Sequence, residues 1–332
     1  MRKEGRSLRI WDNGFYEAHK QDIEGVIGVV RDDPDLIFLP RGGYLSVYYI
    51  GTVILEYNGK EFKFNRDYLS EEDKKKVPAK LTFDEWKCNL DTLKESMICK
   101  NERDPKKGQQ REKASQQEIM LKVNNNPDSE YSIIDMEYVR QNCPFGRFDL
   151  IAVSRKPGSG GKHKIAIIEL KYGRSAFATA WKKENKAEGK NPFGSGIVGH
   201  AFNLNCFINE AKDERDPAVV KERLSDLAAE LVSISHTCKG FCLRQSVNFP
   251  NLQSVSDLDF ENIKTWLLCV GSENVTNDTH SIQRYLGYND KKPYAKYTVK
   301  ENVSKSFSLD YQITSEKFVS SLCDSDFKRL PG

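Results

Sequence analysis

Residues 146–153 read Gly146-Arg-Phe-Asp149-Leu-Ile-Ala-Val153, and residues 164–173 read Lys164-Ile-Ala-Ile-Ile-Glu169-Leu-Lys171-Tyr-Gly173. Near-continuous apolar runs of this kind mark strands covered on both faces. The polar stretch between them, 154–164, carries Gly158, Gly160, Gly161 and four basic residues without an acid. It is read as a hairpin loop that lets the two strands pair antiparallel. Three charged residues stand inside or at the ends of these runs. Glu169 and Lys171 are two apart, so both project from one face of their strand. Asp149 lies on the preceding strand. Burying a carboxylate is costly unless a cation or an ion pair compensates it.

The bare pattern Glu-x-Lys occurs seven times, beginning at Glu61, Glu72, Glu85, Glu169, Glu184, Glu188 and Glu210. Glu61-Phe-Lys63 is the nearest decoy, because it also follows strand-like runs. It directly succeeds an Asn58-Gly59 turn, however, and its face is polar throughout. Only Glu169-Leu-Lys171 closes a buried apolar run with an Asp on the adjacent strand.

Working outward, a helix is expected over 111–123, stopped by Asn124-Asn-Asn-Pro127. Strands follow at 131–140, 147–154 and 163–172, then helices at 195–212 and 216–237, then a buried strand at 263–270. The order is helix, three strands, helices, strand, which defines an α/β unit. The tail, 272–332, has weak patterning. Upstream, residues 1–99 read as a small α+β module. It has a helix at 13–30, short strands at 36–39, 44–50, 52–57 and 61–64 with Asn58-Gly59 as a hairpin signal, and a helix at 82–99. Residues 100–110 read as a polar linker, so the expected division is 1–99, linker, and 111–332.

Length and composition set outer bounds. The chain has 332 residues, a net charge of +3 and eight cysteines with no Cys-x-x-Cys pair. Such a charge does not by itself imply nucleic-acid binding. Several of the cysteines, such as Cys206 and Cys269, sit in apolar contexts that suit free thiols in a reducing compartment. The one metal-like cluster, His236-Thr-Cys238 with Cys242, lacks the second pair of ligands structural zinc wants. No apolar run approaches the ~20 residues of a membrane helix, and residues 1–10 lack a signal-peptide core. The expected compartment is the cytoplasm. The Gly158-Ser-Gly-Gly161 loop lacks the Gly-Lys-Ser/Thr ending of a phosphate loop and precedes a strand.

Asp149, nineteen residues, then Glu169-Leu-Lys171, set in this order of elements, resembles the PD-(D/E)xK nuclease superfamily. Its members include restriction endonucleases, Holliday-junction resolvases and RecB-type repair nucleases. The resemblance covers residues 111–272, with Phe148 where the name-giving pattern has Pro. Residues 1–80 resemble an accessory module found before such domains in bacterial proteins. The resemblance implies a restriction-endonuclease-like core (α-βββ-α-β) and a Mg²⁺-dependent nuclease, Mn²⁺ being a substitute. Asp149 and Glu169 would bind the metal, with the Leu170 backbone carbonyl as a further ligand and Lys171 beside them. A Glu on the helix before the three strands occurs in further members, and Glu118 fits that place. His200 or Asn203 would face the site from the helix after the third strand. Lys182, Lys183 and Lys186 would contact phosphates, and Phe177, Trp181 and Phe193 would stack on bases. The expected partner is nucleic acid, DNA before RNA. The alternative is a protein of this fold that binds nucleic acid or a partner without cleaving. Duplex cutting often implies a homodimer, but no interface stripe is readable here.

Overall fold

The structure is a computed structural model that describes residues 9–103, 107–140, 143, 145–173, 197–209, 217–276 and 309–329. The chain is mixed α/β, with two sheets among the described residues.

Two short helices open the chain, α1 (Asn13–Ala18) and α2 (Lys20–Asp32). Asp12 caps α1 by accepting from the Gly14 and Phe15 amides, as an N-cap carboxylate does. The single helix expected over 13–30 is broken at His19, whose ring packs edge-on against Tyr57. Strands β1 (Ile37–Pro40), β2 (Leu45–Tyr49), β3 (Thr52–Tyr57) and β4 (Phe62–Lys63) form an antiparallel sheet in that order. Helices α3 (Asp73–Lys76), α4 (Phe83–Cys88) and α5 (Leu90–Arg103) follow. The helix expected over 82–99 is divided at Asn89, whose side chain bonds back to the Glu85 carbonyl.

Residues 100–110, read from composition as a linker, carry the end of α5 and the start of α6 (Lys107–Asn125). Polarity tells which side of a backbone is wet, not whether it is helical. After α6 come β5 (Tyr131–Val139), β6 (Arg147–Ser154), β7 (His163–Tyr172), α7 (Ile197–Ile208), α8 (Pro217–Gly240) and β8 (Leu258–Val270). The tail adds β9 (Asp310–Ile313) and β10 (Lys328–Arg329). The second sheet has the order β10-β9-β8-β7-β6-β5. Within it β5, β6 and β7 are antiparallel, β8 joins β7 in parallel, and β9 joins β8 in parallel.

The apolar run of β7 is explained by burial on both faces. Ile165 and Ile167 point into a layer with Ile197, Leu204, Phe207 and Leu231 from α7 and α8. Ala166, Ile168 and Leu170 point into the opposite layer, with Ile119, Met120 and Val123 from α6 and Trp266 from β8.

Residues of the N-terminal module share the first layer, which runs from Ile23, Leu45 and Trp86 to Phe148 and Ile167. Polar ties reinforce it. Asp135 of β5 is fully buried between two guanidinium groups, Arg9 and Arg41, the latter at 2.6 Å. Arg41 also donates to Tyr48 Oη and the Met136 carbonyl, at 3.1 and 3.0 Å. Gln245 closes both hydrogen bonds of the Phe38 backbone. Among the described residues, no helix is long and apolar enough to cross a membrane.

Candidate active site

The ladder between β6 and β7 ends at Leu150 opposite Ile168, one step before Asp149 would face Glu169. Strand β6 stays with β5 as far as Arg147. A fork therefore opens between β6 and β7. The Asp149 carboxylate closes it by accepting from the Leu170 amide at 2.8 Å. A side chain thus replaces the missing backbone partner.

Glu169 and Lys171 continue the face of Ile165 and Ile167, as the strand's period of two requires. Both are deeply buried, with side-chain exposures of 3% and 7%. Lys171 Nζ donates to Glu169 Oε1 at 2.6 Å and to the Leu170 carbonyl at 2.9 Å. It also stands 4.0 Å from Asp149 Oδ2. The sequence therefore placed Asp149, Glu169 and Lys171 together, and the structure gathers them at one strand end. The Leu170 carbonyl is there too, engaged by the lysine.

His200 reaches the cluster from α7, with Nδ1 2.9 Å from Glu169 Oε1. Ile197, Ala201 and Leu204 pack that helix onto the sheet, and the spacing i, i+3, i+7 sets His200 on the same side.

Glu118 is not brought here. It pairs with Lys122 one turn on, at 3.2 Å, and is 46% exposed. The carboxylate that α6 contributes is Glu112, 3.7 Å from Lys171 Nζ and within 3.4 Å of the Tyr172 amide. Sequence reading missed it. The signal was the buried stripe Ile119, Met120 and Val123, which stepped back by seven, eight and eleven residues meets Glu112 and not Glu118. Lys182, Lys183 and Lys186, with Phe177, Trp181 and Phe193, lie outside the described residues. The decoy Glu61–Lys63 is a part-exposed pair at 3.3 Å.

The charges are unbalanced. Glu112, Asp149 and Glu169 face one ammonium group, Lys171, with His200 on Glu169. Burial, then the neighbouring Glu169, pushes the Asp149 carboxyl well above the usual range. Burial also raises Glu112, against the pull of Lys171. Glu169 goes the other way: His200 and Lys171 outweigh its burial and hold it ionised. Lys171 is kept charged by Glu169, Asp149 and Glu112 despite its own burial.

Among the described residues no three His, Cys, Asp or Glu side chains are gathered into a cage for a metal ion. The donors present are hard carboxylate oxygens with excess negative charge. That chemistry fits a cation such as Mg²⁺, which keeps several waters and takes one or two carboxylates. It does not fit a closed Cys/His zinc site.

No family model, curated protein or solved structure matches this chain.

Proposed function

We propose that this chain is a metal-dependent nuclease with a restriction-endonuclease-like core, hydrolysing phosphodiester bonds in nucleic acid, DNA before RNA. The observation that carries the reading is the convergence of Asp149, Glu169 and Lys171 at the fork between β6 and β7. The order α6, β5-β6-β7, α7-α8, β8 supports it.

Asp149 and Glu169 would hold the divalent cation, with Glu112 as a third carboxylate at the edge. When bound, the cation supplies Lewis-acid polarisation of the phosphate and a lowered pKa for bound water. Lys171 does not act as a base, because three carboxylates keep it protonated. It is a fixed positive charge, suited to stabilising negative charge that develops on the phosphate in the transition state. His200 holds Glu169 ionised and in place through Oε1. Asp149 binds the Leu170 amide, which keeps the two strands at a set separation.

The test is cleavage of plasmid, single-stranded DNA and RNA in Mg²⁺ or Mn²⁺. Replacing Asp149, Glu169 or Lys171 by Ala should each lower the rate by about 10² or more, as loss of one electrostatic stabiliser does. An activity that survives all three replacements is a contaminant and overturns the assignment. Nucleic-acid binding without metal-dependent cleavage would place the chain among inactive proteins of this fold.

A further inference from the structure

A cleft of about 1020 Å³ lies at the ends of β7 and β8, on the side of the sheet covered by α6. Its walls come from three parts of the chain: the N-terminal module (Tyr49, Ile50), α6 (Arg111, Leu121) and the segment after β9 (Lys317, Phe318). Its floor is the backbone of Gly173 and Gly271 beside the Tyr172 ring. Both glycines have positive φ, +67° each. A Cβ on Gly271 would meet the Tyr172 ring at 3.2 Å.

Glu112, Asp149, Glu169 and Lys171 do not line the cleft, but its lining adjoins them along the chain at the end of β7. Tyr172 is the residue after Lys171, and Arg111 the residue before Glu112. Glu112 stands between the two, near Lys171 through one oxygen and the Tyr172 amide through the other.

The wall from the N-terminal module is held under strain. Ile50 has φ +44°, a conformation that β-branched residues avoid. It belongs to the two-residue turn Ile50-Gly51 that joins β2 to β3, where both residues take positive φ, +44° and +73°, as a tight hairpin turn requires. Gly51 in addition presses on α6 so closely that a Cβ would lie 1.9 Å from the Lys113 carbonyl. Gln117 of α6 accepts from the Gly51 amide at 2.7 Å and donates to the Asp35 carbonyl at 2.5 Å. Strain kept by such over-determined packing gathers at functional sites.

Resting on the nuclease reading, we infer that this cleft holds unpaired nucleotides of the substrate. Bases stack on Tyr172 and on the face of Phe318 away from the Lys122 ammonium, which lies 4.4 Å from the ring centroid, and Arg111 and Lys317 meet phosphates. Stacking requires an exposed base face, which a single strand offers and a duplex interior does not. The lining also carries Asp35, Glu118 and Glu273, so phosphate neutralisation cannot dominate. Affinity therefore comes from stacking and depends weakly on salt.

The experiment is fluorescence anisotropy with the full chain in EDTA, using labelled oligothymidylate, oligouridylate and a blunt DNA duplex of equal length. Cleavage in Mn²⁺ is measured separately. One or both single strands should bind at least tenfold more tightly than the duplex, and the two strands report DNA against RNA. With two phosphates met, the log–log salt slope should be no steeper than about −1.4, at ~0.7 per phosphate of a single strand. Phe318→Ala and the exposed double variant R111E/K317E should each weaken binding about fivefold or more. The control K156E/K162E, in the loop at the opposite end of β7, should leave it unchanged.

Equal affinity for duplex, no binding by wild type, or losses only in the control overturn the cleft. Wild-type cleavage with unchanged binding in both cleft variants sinks the cleft and leaves the nuclease. Single-strand binding through the cleft without cleavage sinks the nuclease and leaves the cleft.

Discussion

His200 and Lys171 share one oxygen: Glu169 Oε1 lies 2.9 Å from His200 Nδ1 and 2.6 Å from Lys171 Nζ. The shared acceptor links α7 to β7 and holds Glu169 ionised. Its carboxyl is depressed in the folded chain, so its contribution to stability is present above the ordinary carboxylate range. That contribution is lost as pH falls through the depressed value. His200→Ala removes the largest of the causes that lower it. The acid limb of the stability curve should move to higher pH, read by denaturant titration between about pH 2 and 5, on the acid side of the ordinary carboxylate value. An unmoved limb would mean that His200 does not hold Glu169.

Cation binding should release protons. Asp149 and Glu112 are raised in the folded chain, so each keeps its proton above the usual carboxylate value of ~4. A cation at their oxygens takes the proton's place. Apparent affinity for Mn²⁺ should therefore rise with pH through that window. Calorimetry in two buffers of different ionisation enthalpy would count the protons. Asp149→Ala should remove most of the release.

Lys171→Met tests the charge balance without a substrate. It leaves Glu169, Asp149 and Glu112 facing one another in a buried site. Losing one partner of such a pair costs about 3–5 kcal/mol. Mn²⁺ should recover part of the lost thermal stability, and more than it adds to wild type. Equal stabilisation of both proteins would argue against a cation among these carboxylates.

Gly51→Ala should destabilise the chain by about 2 kcal/mol or more, from overpacking together with a left-handed backbone. The Lys113 carbonyl is backbone and cannot swing aside. Thermal melts of the purified variant would measure the loss. A neutral result would mean that the β2–β3 turn does not bear on α6.

Glu230, on α8 among Arg9, Asp135, Tyr138 and Arg140, is pushed up to about 7, chiefly by burial. Its folded value lies above its ordinary one. The native state therefore binds the extra proton between about 4.5 and 7, and stability falls as pH rises through that window. Glu230→Gln should gain on wild type at pH 8 and lose that advantage at pH 5. Melting temperatures at the two pH values decide it.

The central strands were legible because charge inside an apolar run is rare and has few physical excuses. Asp149, Glu169 and Lys171 stood out for that reason. Glu112 did not, because a carboxylate on a polar helix turn looks solvated until the helix's buried face is known. The tail strands β9 and β10 are four and two residues long, too short to show a period. The breaks at His19 and Asn89 depend on a ring contact and a side-chain bond that periodicity does not contain.

The sequence by itself determined the α/β class, the alternation of strands and helices, and which three charges lie at a buried strand end. These follow from local pattern and the cost of burying charge. Only the tertiary structure decided that Glu112 joins the cluster, that His200, one of the two α7 candidates, is the residue that meets Glu169, and that the N-terminal module shares its core and forms one wall of the cleft. Those relations join residues far apart in the chain, and the packing of α6 and α7 across the sheet creates them.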